Sequence, residues 1–600
     1  MKSKKIYLIL LLCLLCINLM AFRGKFISLD EKNQNLNVAR PNLADTHSGN
    51  YTIPGVSDLV SLSQVFKIGI LGDLDDITGD HSWKGAMLAA REINEAGGLL
   101  INSTNYYIGF KSEDTDEAEA NLNVAKGVSA AIRLVSYDKP HCVIGGFRTE
   151  SLSAYQEVIM DQLIPFICVG CPEDQFCQNV IDSYSRYKYF FRITPINTTA
   201  YAIELTTFIA DLADYLSTTY GGNATKIEII REDLTWTIPL YMIIDVALTA
   251  LNLSVSVTTI PITLLEPYLG GILSALDVSG TQIVIPLVSG HLGSYLGYYY
   301  GLLKPKFMLA GLNYRGQSDI YWDDTKGGAQ YEIVMQTAYN TSKTPLTIPF
   351  WNNFFEEYNE EPYFTALGSY DAVRLLANAA LENQTFNSNS LISNLESKDT
   401  NNPFIGASNN IAFLNSHDIV EGWPYGTSMF CQWKMDGNKD VVPSWNKIYP
   451  NAIATGSISI PYWGLNDLVE DNTYRLPGNF TLSSDADAND PDGTFNLEWT
   501  SSEGANYYSV YYAEDPITYI SKRYTTLVGK SVDSPITITN LENGEYYFIA
   551  VAYNGTGQKF SNYIHITVNK GVSGYDIILV LSLISLVAIT IIYKKHRKIK

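Results

Sequence analysis

One short segment concentrates the side chains best suited to polar chemistry. It holds four aspartates, a histidine and a tryptophan: Asp73, Asp75, Asp76, Asp80, His81 and Trp83. Clustered carboxylates can receive a cationic group of a ligand, or they can bind calcium through their oxygen atoms. The spacing lacks the glycine and the terminal glutamate of an EF-hand loop. Solvated acids on an acidic exterior are the third interpretation that the sequence allows.

The cysteines offer a second kind of chemistry. Those beyond the N-terminal segment are Cys142, Cys168, Cys171, Cys177 and Cys431. In an oxidising compartment Cys171 and Cys177 are candidates to close a small loop, and Cys142 and Cys168 to pair across neighbouring strands. One cysteine is then left over. No histidine lies at ligand spacing beside them, so we expect no metal site.

Signatures of enzymes are missing from the chain. It contains no Gly-x-Ser-x-Gly elbow, no P-loop and no His-Glu-x-x-His motif. Only 7 histidines occur, which gives little support to a histidine-based catalytic site. We therefore expect that the chain is not an enzyme and that it carries no cofactor.

The elements that must position these residues alternate along the chain. From residue 65 to 195, apolar β-rich runs such as VFKIGILGDL alternate with helical runs such as SWKGAMLAAREINEAGG. The pattern restarts after Pro195. Such alternation is typical of a parallel sheet with helices on both faces. The sequence thus predicts an α/β fold of two doubly wound lobes, and a late helix within 360–384 suggests that the chain crosses between them more than once.

The C-terminal part has a different texture. Runs rich in Tyr, Val and Ile alternate with turn signals, which predicts a β-sandwich. The full plan is a signal segment (1–22), a linker (23–64), a two-lobe α/β domain (65–455), a linker (456–475), the β-sandwich (476–570), a transmembrane helix (575–593) and a basic tail (594–600). Lobe 1 is expected over about 65–195 and 332–415, and lobe 2 over 196–331 and 416–455.

Composition and charge bound the class of protein. Hydrophobic residues make up 46% and charged residues 17%, which excludes a disordered chain. The 41 Lys and Arg residues against 62 Asp and Glu residues give −21, which argues against a nucleic-acid partner. Basic residues gather at both ends, beside apolar runs. The positive-inside rule puts the tail in the cytoplasm and the rest outside, as a single-pass protein of the cell membrane.

Two further features favour export of the chain. Residues 1–22 have lysines followed by an apolar run, which predicts a secretory signal; Cys16 suggests lipidation instead, and an uncleaved anchor is a third alternative. Asn-x-Ser/Thr sequons fit a glycosylated exterior. They include those at Asn102, Asn197, Asn223, Asn252, Asn340, Asn383, Asn479 and Asn554.

Residues 65–450 resemble the type I periplasmic-binding (Venus-flytrap) fold, and within it the branched-chain amino-acid (Leu/Ile/Val)-binding family of ABC-transporter substrate-binding proteins. The resemblance is carried, in order, by IGILGDLDDITGDHSWKGAMLAAREINEAGG, IGFKSEDTDEAEANLNVAKGV, VIGGFRTESLSA, PFICVGC and ALGSYDAVRLLANAA. Residues 476–570 are similar to a fibronectin type III domain, through the segment containing Trp499 and through ITNLENGEYYFIAVAYNGTG.

The resemblance implies a ligand site at the carboxyl ends of the strands. In lobe 1 it points to Thr149 and Ser151, at a helix N-terminus where hydroxyls and N–H groups hold polar ligand heads; capping that helix is the alternative role. Val169, Gly170 and Cys171 match the segment that contacts ligand through its backbone, although the family often has a small or hydroxyl residue in place of Cys171.

In lobe 2 the resemblance points to three further residues. Trp236 matches an aromatic ring that closes over the ligand, with packing at a helix start as the alternative. Ser289 ends one strand and Asn313 another. The family's amino-acid binders place an acid near Asn313 for the ligand's ammonium group. This departure favours a neutral or amide-bearing ligand.

The resemblance implies a membrane-anchored extracytoplasmic solute-binding protein. It would capture a small polar ligand (an amino acid, amide or similar) by closure of two lobes and deliver it to an ABC permease, as in archaeal surface-anchored versions. The alternative is the ligand-binding ectodomain of a cell-surface sensor or adhesion protein that works with a membrane partner. An extracellular hydrolase is a third class, for which no nucleophile constellation is present.

Overall fold

The computed structural model describes residues 45–570, apart from residues 265, 470–474, 488, 531 and 556. The expected signal segment 1–22, the first part of the linker, the transmembrane helix 575–593 and the tail 594–600 lie outside the described residues. Among the helices within the described ranges, none combines the length and the apolar character that crossing a bilayer demands.

Strands and helices alternate in the first third of the chain, as the sequence predicts. The strands are β1 (Thr46–Ser48), β2 (Tyr51–Ile53), β3 (Val65–Gly72), β4 (Leu99–Ile101), β5 (Thr104–Asp114), β6 (Cys142–Gly145), β7 (Phe166–Cys168) and β8 (Phe190–Arg192). The helices are α1 (Ile77–Glu95), α2 (Val124–Arg133), α3 (Thr149–Asp161), α4 (Gln175–Asp182) and α5 (Tyr184–Tyr187).

The alternation continues through the next segment. Its helices are α6 (Thr198–Tyr220), α7 (Thr237–Ala250), α8 (Glu266–Val278), α9 (Leu292–Leu303) and α10 (Tyr321–Asp324). Its strands are β9 (Lys226–Glu232), β10 (Ser254–Ile260), β11 (Ile283–Val288), β12 (Met308–Asn313) and β13 (Ile333–Gln336).

The remainder of the chain begins with helices and continues mainly with strands, of which β18 to β25 belong to the C-terminal β-rich domain. The helices are α11 (Thr347–Tyr358), α12 (Phe364–Asn383) and α13 (Ser388–Glu396). The strands are β14 (Phe404–Ile405), β15 (Asn410–Ile411), β16 (Met429–Trp433), β17 (Lys439–Val441), β18 (Leu482–Ser484), β19 (Asn489–Asp490), β20 (Phe495–Trp499), β21 (Tyr507–Ala513), β22 (Thr526–Lys530), β23 (Ile536–Ile538), β24 (Gly544–Tyr553) and β25 (Gln558–Val568).

Lobe 1 consists of the described residues up to Pro195 together with 362–420. Its sheet has the order β1-β2-β5-β3-β6-β7-β8, and β5, β3, β6, β7 and β8 run parallel. The central strand β3 is buried along almost its whole length, because helices cover both faces of a parallel sheet. Polar caps start two of the helices: Asp76 accepts the N–H of Thr78 at α1, and Asn123 accepts that of Ala125 at α2.

The N-terminal edge of lobe 1 corrects the expected linker. Residues 46–53 form β1 and β2, and β2 pairs antiparallel with β5. Tyr51, Ile53, Val56 and Val65 share a small buried cluster. A few apolar residues of this polar segment therefore form two short strands at the edge of the sheet. The sheet is consequently mixed rather than purely parallel.

Lobe 2 contains residues 196–361 and resumes at Glu421. Its sheet has the order β10-β9-β11-β12-β13-β16-β17, parallel as far as β13 and antiparallel beyond it. The chain returns to lobe 1 after Glu361, not after residue 331 as expected. The reason is that β13 pairs with β12 and β16, which keeps residues 333–336 in the sheet of lobe 2.

The C-terminal β-rich domain has two sheets with one core between them. Their orders are β18-β20-β23 and β19-β25-β24-β21-β22. Leu497 and Trp499 from the first sheet pack with Val510 and Phe548 from the second.

This domain belongs to the same compact unit as lobe 2. Trp322 donates its indole N–H to the carbonyl of Ile520 at 2.5 Å, and Arg523 pairs with Asp319 at 3.2 Å. The residues between lobe 2 and the domain also pack on the lobe: Trp463 donates its indole N–H to the carbonyl of Pro305. The segment at 456–469 is therefore bound along lobe 2 and is not a free linker.

Candidate functional site

The carboxyl ends of β3 and β6 and the residue after β7 meet in lobe 1 at a small indentation of about 10 Å³. Its lining includes Gly72, Thr78, Ser82, Gly145, Val169 and Thr365. In open α/β sheets, ligands bind outside the carboxyl ends of the strands. The indentation therefore lies where the fold places small-molecule chemistry.

Glycines let the loops approach one another at this edge. Gly146 follows β6 with φ +90°, a conformation that other residues rarely adopt. A Cβ on Gly170 would lie 2.3 Å from the carbonyl oxygen of Gly146. The loops after β6 and β7 can pack this closely only because neither position carries a side chain.

The two expected hydroxyl residues of α3 take different directions. Thr149 begins the helix, and its Oγ1 lies 3.5 Å from the Sγ of Cys171. Ser151 is fully buried and faces α2, because a Cβ on Gly127 would lie 2.5 Å from its Oγ. Neither side chain caps α3, whose N-cap residue Arg148 makes no side-chain cap bond. Of the two, only Thr149 stays beside the strand ends.

Val169 and Cys171 lie on the loop after β7, next to the indentation. The N–H of Val169 donates to the carbonyl of Gly145, and Val169 lines the indentation. The carbonyl of Cys171 accepts from the guanidinium of Arg192 at 3.4 Å. This segment thus uses part of its backbone to hold the loop, while the side chain of Val169 contributes to the site.

Glu117 is a site residue that sequence reasoning did not single out. It is completely buried, lines the indentation, and accepts the N–H of Arg148 at 3.3 Å and also that of Phe147. Tyr155 donates its hydroxyl to the same carboxyl group at 3.3 Å. Burial raises the pKa of Glu117 to about 7. Its segment is visibly acidic, but nothing in the sequence distinguishes this acid from its neighbours.

The acidic segment after β3 is largely occupied with holding the fold. Asp76 caps α1, and Asp80 pairs with Lys84 at 2.6 Å. Asp73 accepts the N–H of Ala118 at 2.9 Å, and its pKa is raised because it is buried. These contacts favour structural roles over a calcium loop.

The ring residues of this segment also point inward. His81 is 2% exposed, and its Nδ1 accepts the N–H of Tyr363 at 2.9 Å. The ring of Trp83 meets that of Phe110 edge-on, with centroids 6.0 Å apart. The structure therefore places both residues in the packing of α1 and not in the indentation.

All five cysteines in the described part of the chain are buried free thiols, so neither candidate disulfide is formed. The strand register explains the first pair. Cys168 lies opposite Gly145, so Cys142 is three residues further along β6, roughly 10 Å away. A disulfide needs Cα atoms within about 7 Å. For the second pair, the neighbour of the Cys171 thiol is the hydroxyl of Thr149 and not the thiol of Cys177.

The expected residues of lobe 2 are engaged inside the lobe. Trp236 is 6% exposed and its ring meets that of Tyr314 edge-on, which favours the packing alternative. Asn313 is fully buried, and its amide donates to Glu332 at 2.8 Å and to the hydroxyl of Tyr321. Its side chain therefore serves the interior of the lobe, contrary to the expected ligand contact.

Ser289 follows β11 and leads towards α9. Its N–H and its hydroxyl both donate to Oε2 of Glu232 at 2.8 Å. The N–H of Gly290 donates to Oε1 of the same carboxylate at 3.0 Å. Glu232 ends β9 and is 1% exposed. It is the second buried acid at a strand end that sequence reasoning missed.

Comparisons with known proteins agree with this architecture. A family described as "Periplasmic binding protein" matches residues 66–418. No curated protein matches the chain. A putative branched-chain amino acid ABC transporter from Silicibacter pomeroyi shares 16% identity with a TM-score of 0.53, covering 66% of this chain and 99% of its own.

Two further solved structures were determined with ligands. The branched-chain amino acid transporter substrate-binding protein from Streptococcus pneumoniae, in complex with isoleucine, has 17% identity, a TM-score of 0.50 and coverage of 62% of this chain and 97% of its own. A solute-binding protein of an ABC transporter from Rhodopseudomonas palustris, in complex with 3,4-dihydroxybenzoic acid, has 14% identity, a TM-score of 0.50 and coverage of 68% and 99%.

At these identities the solved structures show the fold alone, whereas the family match extends over more than half of the sequence. It covers the strands whose carboxyl ends form the indentation and the returning helix α12 that completes lobe 1. The chain therefore belongs to the periplasmic binding protein family.

Proposed function

We propose that the chain is an extracytoplasmic solute-binding protein that captures a small polar ligand and delivers it to an ABC-type importer. The observation that carries the proposal is the indentation at the carboxyl ends of β3, β6 and β7, in a chain of this family. Similar structures hold isoleucine or 3,4-dihydroxybenzoic acid, which supports a ligand of that size.

Capture by closure of the two lobes is part of the proposal. A ligand shifts such an equilibrium only by the difference in its affinity for the open and closed forms. Backbone groups and a small number of hydroxyls at strand ends supply such differential contacts, because they are directional. Thr365 supports this role: it is buried, lines the indentation, and its Oγ1 has no hydrogen-bond partner among the described residues.

Anchoring belongs to the same proposal. The apolar run 577–593 followed by KKHRKIK supports a single membrane helix with a cytoplasmic tail. The β-rich domain, whose sequence is similar to a fibronectin type III domain, would then act as a spacer between the lobes and the membrane. We expect the full chain to sediment with membranes and a chain ending at residue 570 to stay in the supernatant. Equal sedimentation of both would contradict the anchor.

A thermal-shift screen of the full chain in detergent tests the binding function. The panel comprises amino acids, amides, urea, nucleosides, sugars and short peptides. A ligand that binds only the folded state raises the melting temperature by mass action, with about 2.7 kcal/mol of stabilisation at 100 times its Kd. We expect hits confined to one chemical class.

The variant Thr365→Val ties a hit to the indentation. It removes a hydroxyl without changing the shape of the side chain, and we expect it to weaken the hit at least tenfold while the unliganded melting temperature stays the same. Ser153→Ala, at an exposed position of α3, is the control. If no small molecule shifts a well-folded chain, the transport function fails, and a macromolecular partner of a sensor or adhesion protein becomes the better interpretation.

A further inference from the structure

We infer that Glu117 and Glu232 are specificity-determining residues that close both lobes to free carboxylates, so that the solute is recognised through neutral or cationic groups. The inference rests on the proposed function and adds the ligand class to it. It concerns the two pre-helix loops, defined here as residues 146–148 between β6 and α3, and residues 289–291 between β11 and α9.

The pre-helix loops are the natural places for an anion. Their N–H groups lie just before the first turn of a helix, where the helix dipole places partial positive charge. Phosphates, sulfates and carboxylates bind at such positions for this reason. Each loop also follows a strand flanked on both sides by parallel neighbours: β6 lies between β3 and β7, and β11 lies between β9 and β12. A ligand carboxylate at the strand ends would seek these N–H groups.

In lobe 1 a carboxyl group of the protein already holds this position. Glu117 lies three residues beyond the end of β5 and turns inward, so that the N–H groups of Phe147 and Arg148 donate to it. The side chain is completely buried, and Tyr155 supports it from α3. The N–H groups of Phe147 and Arg148 are therefore occupied before any ligand arrives.

Lobe 2 has the same arrangement, but its acid comes from a different position in the sheet. Glu232 ends β9, and both of its oxygens accept N–H groups of the pre-helix loop, from Ser289 and Gly290. The hydroxyl of Ser289 adds a third bond. The two acids occupy different positions in their lobes, after β5 and at the end of β9. Each acid accepts N–H groups of the pre-helix loop in its own lobe. The same arrangement therefore occurs in both lobes.

The rest of the lobe 1 edge also disfavours an incoming anion. Asp73 is 5% exposed beside the indentation, and Asp76 and Asp114 add negative charge around it. Thr365, without a partner among the described residues, offers a hydroxyl that both donates and accepts. An amide, a hydroxyl or an ammonium group suits this edge, and a second carboxylate would meet like charge.

Acetate tests whether Glu117 and Glu232 fill anion positions. In Glu117→Ala and Glu232→Ala, the pre-helix N–H groups lose their carboxyl acceptor, and acetate can replace it. We expect the melting temperature of each variant to rise with sodium acetate to a plateau, relative to sodium chloride at equal ionic strength. The unaltered chain should respond equally to the two salts. The exposed neighbours provide matched controls, Glu119→Ala and Asp233→Ala, which should behave like the unaltered chain.

A ligand panel tests the consequence for specificity. Isoleucine is compared with isoleucinamide, and benzoate with benzamide, alongside the solutes of the thermal-shift screen. We expect neither isoleucine nor benzoate to stabilise the unaltered chain. If isoleucine or benzoate raises the melting temperature of the unaltered chain but not that of Thr365→Val, the inference is overturned and the proposed function is supported. The inference is also overturned if acetate stabilises neither of the two alanine variants.

The outcomes for the two proposals can be told apart. Acetate rescue without any solute hit supports the assignment of the two acids and removes the proposed function. If the alanine variants fail to fold, the comparison of acids with amides on the unaltered chain decides alone: binding of an acid at the indentation overturns the inference, and hits confined to neutral or cationic solutes support it.

Discussion

Arg192 shows how lobe 1 accommodates a charge in its core. The guanidinium is fully buried and makes a two-pronged contact with the carboxylate of Asp418, in which Nε donates to Oδ1 at 2.8 Å and Nη2 to Oδ2. Nη1 donates to the carbonyl of Glu173 at 2.8 Å. The pair joins β8 to the last segment of the lobe, so it links residues that are distant in the sequence.

Removing one partner of this pair should be costly. In Asp418→Asn the guanidinium stays buried without a countercharge, and such changes destabilise proteins by about 3–5 kcal/mol. Asp161→Asn is the matched control, because its pair with Arg186 is exposed and such pairs contribute at most about 1 kcal/mol. Urea unfolding of the two variants measures the difference. Equal losses would show that the buried pair adds nothing beyond a surface one.

Glu204 should make stability depend on pH. It lies on α6, accepts the N–H of Ser428 at 2.9 Å, and burial raises its pKa from 4.5 to about 8. The folded state therefore favours the protonated form. Its stabilising contribution is complete below pH 4.5 and is lost as pH rises towards 8, with a slope of about 1.4 kcal/mol per pH unit.

Glu204→Gln should flatten this decline by the slope of one group. Denaturant unfolding between pH 5.5 and 8.5 measures the free energy of unfolding. Asp214→Asn, an exposed acid on the same helix, should keep the original slope. An unchanged slope in Glu204→Gln would contradict the raised pKa.

The site residues show where sequence reasoning reaches its limit at this scale. The resemblance directs attention to the loops after β6 and β7, and Val169 lines the indentation there. It cannot predict that Glu117 turns inward while Glu119 remains exposed, because tertiary packing decides between neighbouring acids. Asn313 and Trp236 have side chains of the right chemistry, but burial in lobe 2 engages them elsewhere.

Helices α1 and α12 pack unusually closely, and a glycine makes this possible. A Cβ on Gly85 would lie 2.1 Å from the carbonyl oxygen of Ala366. The hydroxyls of Ser82 and Ser369 lie 2.7 Å apart at the same contact. Small side chains on both helices thus let α12 complete the layer over the sheet of lobe 1.

Two helical glycines should respond to alanine in opposite directions. Gly85→Ala forces α1 and α12 apart, and overpacking of this kind typically costs about 1–3 kcal/mol. Gly271→Ala lies on the exposed side of α8 with open space around it, so a gain of about 0.5–1 kcal/mol is expected from helix propensity. Thermal unfolding measures both. Stabilisation by Gly85→Ala would show that the contact is looser than described.

Long, strongly patterned elements are the ones that the sequence predicts well. Strands β3, β6, β9 and β11 and helices α1 and α6 occur where alternating apolar runs indicate them. The short strands β1 and β2 lie in a segment of polar texture, and their pairing with the sheet depends on a few buried side chains. The return crossing after Glu361 follows from the pairing of β13, a long-range contact with no local signal.

At the scale of the whole molecule, the β-rich domain and lobe 2 form one physical unit. Trp322 is 3% exposed and stacks with Trp433, with centroids 5.9 Å apart, while Tyr519 of the β-rich domain packs against this cluster. We therefore expect lobe 2 and the β-rich domain to unfold in a single calorimetric transition.

Replacing Trp322 should separate the two parts. Trp322→Ala leaves a cavity and removes the bond to Ile520, a loss of about 3–5 kcal/mol, and we expect the shared transition to split. Trp322→Phe keeps most of the packing and should cost only about 1 kcal/mol for the lost hydrogen bond. Tyr524→Ala, at a position that is 66% exposed on the same domain, is the control. Scanning calorimetry in which Trp322→Ala retains one unshifted transition would contradict this coupling.

The interruption of both lobes in the sequence has a consequence for how the molecule is made. A ribosome that has reached residue 361 has produced neither lobe in full: lobe 1 still lacks α12, and lobe 2 still lacks β16 and β17. Until α12 emerges, the face of α1 around Gly85 has nothing to cover it. Lobe 1 can therefore be completed only after residue 420 has been added, and the sheet of lobe 2 only after β17 ends at Val441, so both sheets stay incomplete well into the second half of translation.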